Sequence, residues 1–169
     1  MPTHLTIRRN LRFFPILWFA LHSALAAPAE ATLGKNEQPI HDAARMGTRQ
    51  DVEKLLKASP QNRDARTDLG ATPLHYAALN VDSGPLLALI AAGANVNARD
   101  KEGMTPLHMA AFSTRTLHAR PLLEAGADPA LKTDAGRDVL SMARKVRADE
   151  FAGVVSLWLL KGCKPRKPC

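Results

Sequence analysis

The sequence predicts an all-α repeat fold, an α-solenoid of stacked helix-turn-helix units joined by hairpin-like turns. Three observations carry this. The phrase Thr72-Pro73-Leu74-His75-Tyr76-Ala77-Ala78 returns thirty-three residues later as Thr105-Pro106-Leu107-His108-Met109-Ala110-Ala111. A second phrase repeats at the same offset, with Leu89-Ile90-Ala91-Ala92-Gly93-Ala94-Asn95 answered by Leu122-Leu123-Glu124-Ala125-Gly126-Ala127-Asp128. Each unit also carries a helix start signal and, further on, a helix stop signal.

Before the repeats stands a segment of different character. Arg8, Arg9 and Arg12 precede the apolar run Phe13-Phe14-Pro15-Ile16-Leu17-Trp18-Phe19-Ala20-Leu21, which ends in Ser23-Ala24-Leu25-Ala26-Ala27. Basic region, apolar region and A-x-A site in that order are the layout of a secretory signal peptide. Residues 1–26 are read as that signal, cleaved after about Ala26, with 27–37 as a linker. The run is shorter than the ~20 residues of a comfortable membrane span, and an uncleaved anchor is the competing reading. The Arg8-Arg9 pair also suggests a twin-arginine signal, although Arg12 stands where that signal usually has an apolar residue.

The repeats follow, at about 38–66, 67–99, 100–132 and 133–160. Pro39-Ile40-His41-Asp42-Ala43-Ala44, with Val52 and Leu55-Leu56 after it, is a weaker first copy. Gly136-Arg137-Asp138-Val139-Leu140-Ser141-Met142-Ala143 aligns with the chain from Gly103 onward and forms a fourth. Thr72 and Thr105 are good N-caps, because a hydroxyl can accept from the free N–H groups of a first turn. Pro73 and Pro106 follow at the first helical position, where a missing N–H costs nothing; Asp138 keeps the cap without the proline. Leu74, Ala77 and Ala78 share one helical face, and the small alanines let a paired helix approach closely. A second helix brings Leu86, Leu87, Leu89 and Ile90 and stops at Gly93, a left-handed C-terminal position. One such unit cannot bury its apolar side alone, so stacked neighbours must build the core. The end units meet water on one side and are correspondingly atypical, with Trp158 predicted to seal the last interface.

These phrases resemble the ankyrin family, in both the T-P-L-H-x-A-A signature and the period, over about 38–160. The resemblance implies recognition of protein partners through the turn tips and the outward side of the first helices, the concave face of the stack. Carried onto this chain, the positions are Arg66, Leu69, Ala71, Leu79 and Asn80 in the second repeat. In the third they are Arg99, Glu102, Met104, Phe112 and Ser113, and in the fourth Ala135 and Arg137. Met104 and Phe112 stand out, because neither fills a structural position of the motif and both residue types anchor interfaces. Phe112 has a rival reading, tucked into an irregular loop. Two features depart from the family. Its glycine between paired helices is present as Gly47 but replaced by Val81 and Thr114. Pro121 falls inside the third repeat's second helix, where an interior proline costs ~3 kcal/mol or more. That predicts an irregular longer loop at 112–118 and a helix starting late, near His118.

His41, His75 and His108 recur once per repeat, which raises the question of a metal. Adjacent packed helices lie ~8–10 Å apart and metal–nitrogen bonds are ~2 Å, so histidines stacked in this way cannot share an ion. The resemblance gives them a structural role near the turn, bonded to the backbone of neighbouring units. The chain contains no nucleophile elbow, no H-E-x-x-H, no P-loop and no C-x-x-C. Asp100-Lys101-Glu102 and Asp149-Glu150 read as solvated turn and cap residues. No enzyme, cofactor or metal is expected.

The tail 161–169 holds both cysteines, Cys163 and Cys169. In an oxidising compartment they would close a small disulfide loop; two exposed thiols are the alternative. Of the 23 basic residues, three lie in the signal and four in the tail (Lys161, Lys164, Arg166, Lys167). The remaining sixteen balance the sixteen acids, so the net +7 belongs to the ends. A nucleic-acid binder would carry its basic patch on the folded body, and nucleic acid is not an expected partner. The reading is a non-enzymatic interaction module exported to a bacterial periplasm, a monomer that binds an unidentified protein and meets the membrane only if the signal stays attached. Its alternatives are a toxin-neutralising immunity protein and an adaptor contacting acidic envelope components through the basic tail.

Overall fold

The computed structural model describes residues 36–165 and residue 167. The signal segment 1–26, nearly all of the linker, and Cys169 with its pairing to Cys163 lie outside the described residues.

Paired helices follow one another along the described chain. The first pair is α1 (Pro39–Met46) and α2 (Arg49–Ala58), followed by a short 3-10 turn at Pro60–Asp64. Then come α3 (Pro73–Ala77) with α4 (Gly84–Ala91), α5 (Pro106–Phe112) with α6 (Thr116–Ala125), and α7 (Val139–Lys145) with α8 (Asp149–Leu160). The first helices stack in the order α1, α3, α5, α7, and the second helices in the order α2, α4, α6, α8. This is the helical repeat stack that the period predicts.

Thr105 caps α5 as read, accepting from the His108 N–H at 3.4 Å, whereas Thr72 makes no side-chain cap bond and its hydroxyl lies 2.9 Å from His75 Nδ1. Pro73 and Pro106 open α3 and α5, and Asp138 caps α7 by accepting from the Ser141 N–H at 2.7 Å. Between the helix rows, Ala77, Ala78, Ala110, Ala111 and Ala143 are fully buried, which is what the close approach requires. Leu74, Leu107, Leu86, Leu89, Leu122 and Leu123 fill the rest of the interior, each with no exposed surface. Burial of one such leucine contributes ~1.5–3 kcal/mol. Leu87 differs from its neighbours, at 36% exposed. Trp158 is buried at the last interface, 8% exposed.

Between repeats the chain makes the same turn three times. Thr67 N–H donates to Ala71 O, Asp100 N–H to Met104 O and Thr133 N–H to Arg137 O, at 2.9–3.0 Å. A left-handed glycine sits in each, Gly70, Gly103 and Gly136, at φ between +72° and +75°. At Gly103 the space is also closed, since a Cβ would run into the Arg99 guanidinium and the Asp134 carboxylate. Neighbouring turns are tied edge to edge, Lys101 N–H to Leu69 O and Asp134 N–H to Glu102 O, both 2.9 Å.

The third repeat corrects one expectation. No long irregular loop occupies 112–118: α5 reaches Phe112, three residues turn, and α6 runs regularly from Thr116 through Pro121 to Ala125. The proline removes one hydrogen bond, to the carbonyl of Leu117 four residues earlier. Leu117 is 78% exposed, which puts this turn of the helix on the solvent side, and the helix does not break. Thr114, in the short turn, takes φ +56°, and its counterpart Arg147 takes φ +57°.

Candidate protein-binding groove

The recurring histidines join the repeats. In His75 the Nδ1 atom accepts from the Thr72 N–H at 3.1 Å, and Nε2 lies 3.0 Å from Met104 O in the next turn. His108 repeats this with Thr105 N–H at 3.3 Å and Arg137 O at 3.2 Å, and His41 with Gln38 N–H at 2.9 Å and Ala65 O at 3.1 Å. A ring that accepts at Nδ1 and donates at Nε2 is neutral and held in one tautomer. Burial pushes the His75 and His108 imidazoles below their ordinary value, against the opposing pull of the Met104 and Arg137 carbonyls.

His75 and His108 thus each anchor the residue that closes the following turn, Met104 and Arg137, whereas His41 reaches Ala65, ahead of its turn. Between the third and fourth repeats the turns closed by Met104 and Arg137 frame an open groove of about 650 Å³. Its floor is apolar, with Met104 from the turn, Met109 and Phe112 from α5, and Met142 from α7, closed at one end by Val146. Its rim is charged, with Lys101, Glu102 and Asp134 at the turn tips, Arg137 beside α7 and Lys145 in its last turn. Ala135 and Thr133 complete the lining. Phe112 is 57% exposed at the end of α5, outside any irregular loop, and Met104 is half-buried against the core.

Five of the residues singled out in the sequence therefore meet here: Glu102, Met104, Phe112, Ala135 and Arg137. The others have different surroundings. Ala71 and Asn80 are buried, each 5% exposed, and offer no side chain to a partner. Asn80 instead donates its amide to Ala44 O and Gly47 O at 3.0 and 3.1 Å, capping the end of α1. Ser113 is spent on the Ala78 and Met109 carbonyls, at 3.1 and 2.8 Å. Arg66 bonds Gly70 O and Arg99 O, and Arg99 bonds Lys132 O and the Asp134 carboxylate, so these exposed arginines stitch successive turns. Leu69 is 68% exposed at an earlier turn, and Leu79 is half-buried.

Sequence reasoning missed Met109, Met142, Lys145 and Val146. A signal was present: residue 109 fills the variable place in the repeated phrase, and 142 stands one period further on. No group of three histidine, cysteine, aspartate or glutamate residues among the described residues is placed to hold a metal.

Capped helix pairs stacked in two rows and joined by left-handed turns define a repeat scaffold. The family of ankyrin repeats in three copies matches residues 40–133, more than half of the chain, and the chain belongs to it. Ankyrin repeats are generally protein–protein interaction modules, and the family is typically non-enzymatic. No curated protein matches the chain.

Proposed function

We propose that this chain is an exported, non-enzymatic module that binds a protein partner on the concave side of the stack, in the groove between its third and fourth repeats. What supports the reading is the convergence of Met104, Met109, Phe112 and Met142 on one accessible apolar floor with a charged rim. Scattered apolar residues on a surface need no explanation, whereas a formed apolar groove with a polar margin is the usual shape of a binding site. Thioether side chains adapt to a partner without strain. Export to a periplasm rests on the basic, apolar and small-residue order of 1–26, and N-terminal sequencing of the protein from a periplasmic fraction should begin near Ala27.

The groove is tested by capture from an envelope extract. Wild-type protein should retain a partner that the Met104→Ala, Phe112→Ala variant loses, while circular dichroism shows both folded at the temperature of the assay. A partner held equally by the two overturns the assignment of the surface. A second reading, an adaptor to acidic envelope polymers, is favoured by exposed Lys161 and Lys164 beside Leu160, which is 84% exposed. Deleting 161–169 should abolish salt-sensitive envelope binding if that reading holds.

A further inference from the structure

The rim of the groove is unbalanced. Asp134 is committed to Arg99 at 3.0 Å. Among the described residues Lys101, Arg137 and Lys145 form no ion pair, and Glu102 is the one acid of the rim left to oppose them. The three cations also stand at two ends. Lys101 and Arg137 lie at the turn end, and Lys145 lies at the far end of α7, beside Phe112 and Val146. Helix α7 rises ~9 Å from Val139 to Lys145, and the two non-helical residues before it, Arg137 and the extended N-cap Asp138, lengthen the span to ~12–15 Å. An extended chain covers that length in about four residues. In an extended segment, residues two apart share a face and stand ~7 Å from one another, so positions −2 and +2 about a central side chain can reach the two cationic ends together.

Resting on the reading of this groove as the partner site, we infer that it selects an extended segment of the partner in which one apolar side chain is flanked on both sides by carboxylates. The apolar side chain enters between Met104, Met109 and Met142. A carboxylate about two positions before it meets one cationic end, and another about two positions after it meets the other. Charge complementarity of this kind sets which segment binds, and it excludes basic segments by like-charge repulsion.

The test is a selection of displayed random peptides, about twelve residues long to exceed the groove, on the immobilised full-length protein. Each pool is compared on the Met104→Ala, Phe112→Ala variant and on a Lys101→Glu, Arg137→Glu, Lys145→Glu variant. These three side chains are exposed and support no described backbone contact, and circular dichroism checks that the variants remain folded. The expected pool carries Leu, Ile, Met or Phe with Asp or Glu near positions −2 and +2. Its members should bind the charge-reversed variant at least about tenfold more weakly and weaken as salt rises. Groove-dependent peptides without acidic flanks, or with affinity unchanged by charge reversal, overturn the inference and leave the groove standing. Peptides that bind all three proteins alike, or no enrichment at all, overturn the groove reading with it.

Discussion

Inside the junction of the second and third repeats, His75 reaches Met104 O at 3.0 Å; inside the junction of the third and fourth, His108 reaches Arg137 O at 3.2 Å. Arg66 and Arg99 span the same two junctions with the same backbone bonds, thirty-three residues apart. On the surface the correspondence ends. The positions held by Ala71, Tyr76 and Leu79 are held one period later by Met104, Met109 and Phe112, and two periods later by Arg137, Met142 and Lys145. The difference teaches which positions the stack controls. Residues that face the next repeat must repeat with it, whereas those facing outward from the first helices are free to diverge, and the groove opens where they diverge into methionine and lysine.

The largest expected effects therefore lie inside, and they should be equal at the two junctions. His75→Leu and His108→Leu each keep the volume but orphan a buried N–H at the cap and strip one of the two donors from a carbonyl in the next turn. Lost partners of that kind cost ~1–3 kcal/mol apiece, so each variant should lose about 2–4 kcal/mol in urea unfolding. A loss at one junction with none at the other would break the equivalence.

That contrast also explains what could be read from the sequence. The period, the Thr-Pro starts and the Gly stops are local and repeated, so the helix rows, the turns and the structural histidines were legible. Asn80 was misread because its bond partners, Ala44 and Gly47, are brought to it only by stacking. Pro121 was misread because its cost depends on whether the orphaned carbonyl meets water, which no spacing reveals. Met109 and Met142 went unnoticed because a single methionine in a variable place looks like filler until two are seen side by side.

A middle-sized effect should appear with pH. Burial lowers His75, His108 and His118 from the ordinary imidazole value of 6.5. Between that value and the folded ones the unfolded chain binds more protons. Stability is therefore complete above about pH 6.5 and is lost as pH falls toward the lowered values. The urea midpoint should drop between pH 7.5 and pH 5.5. Asp138 acts in a separate, more acidic window, since the Ser141 hydrogen bonds hold its carboxyl below 3.8. His108→Leu should start lower yet fall less steeply over the imidazole range. Parallel slopes for variant and wild type would remove His108 from the account.

The smallest effect concerns the turns between paired helices, where glycine and need are mismatched. Gly47 adopts φ −87°, open to any residue, and is required instead by space, because a Cβ would lie 2.6 Å from Ala43 O. Thr114 and Arg147 hold the left-handed conformation, at φ +56° and +57°, without being glycine. That conformation costs a non-glycine residue ~1 kcal/mol or more, and a β-branched one most. Both side chains are exposed, so little contact is forfeited on removing them. Thr114→Gly should therefore raise stability by about 1 kcal/mol, and Arg147→Gly by less, after the extra backbone entropy of glycine is subtracted. Gly47→Ala should lower it. Thermal melts of the three variants decide between conformational strain and steric room: if Thr114→Gly leaves the midpoint unchanged, the left-handed turn is already relieved by its neighbours, and its positive φ carries no cost that glycine can remove.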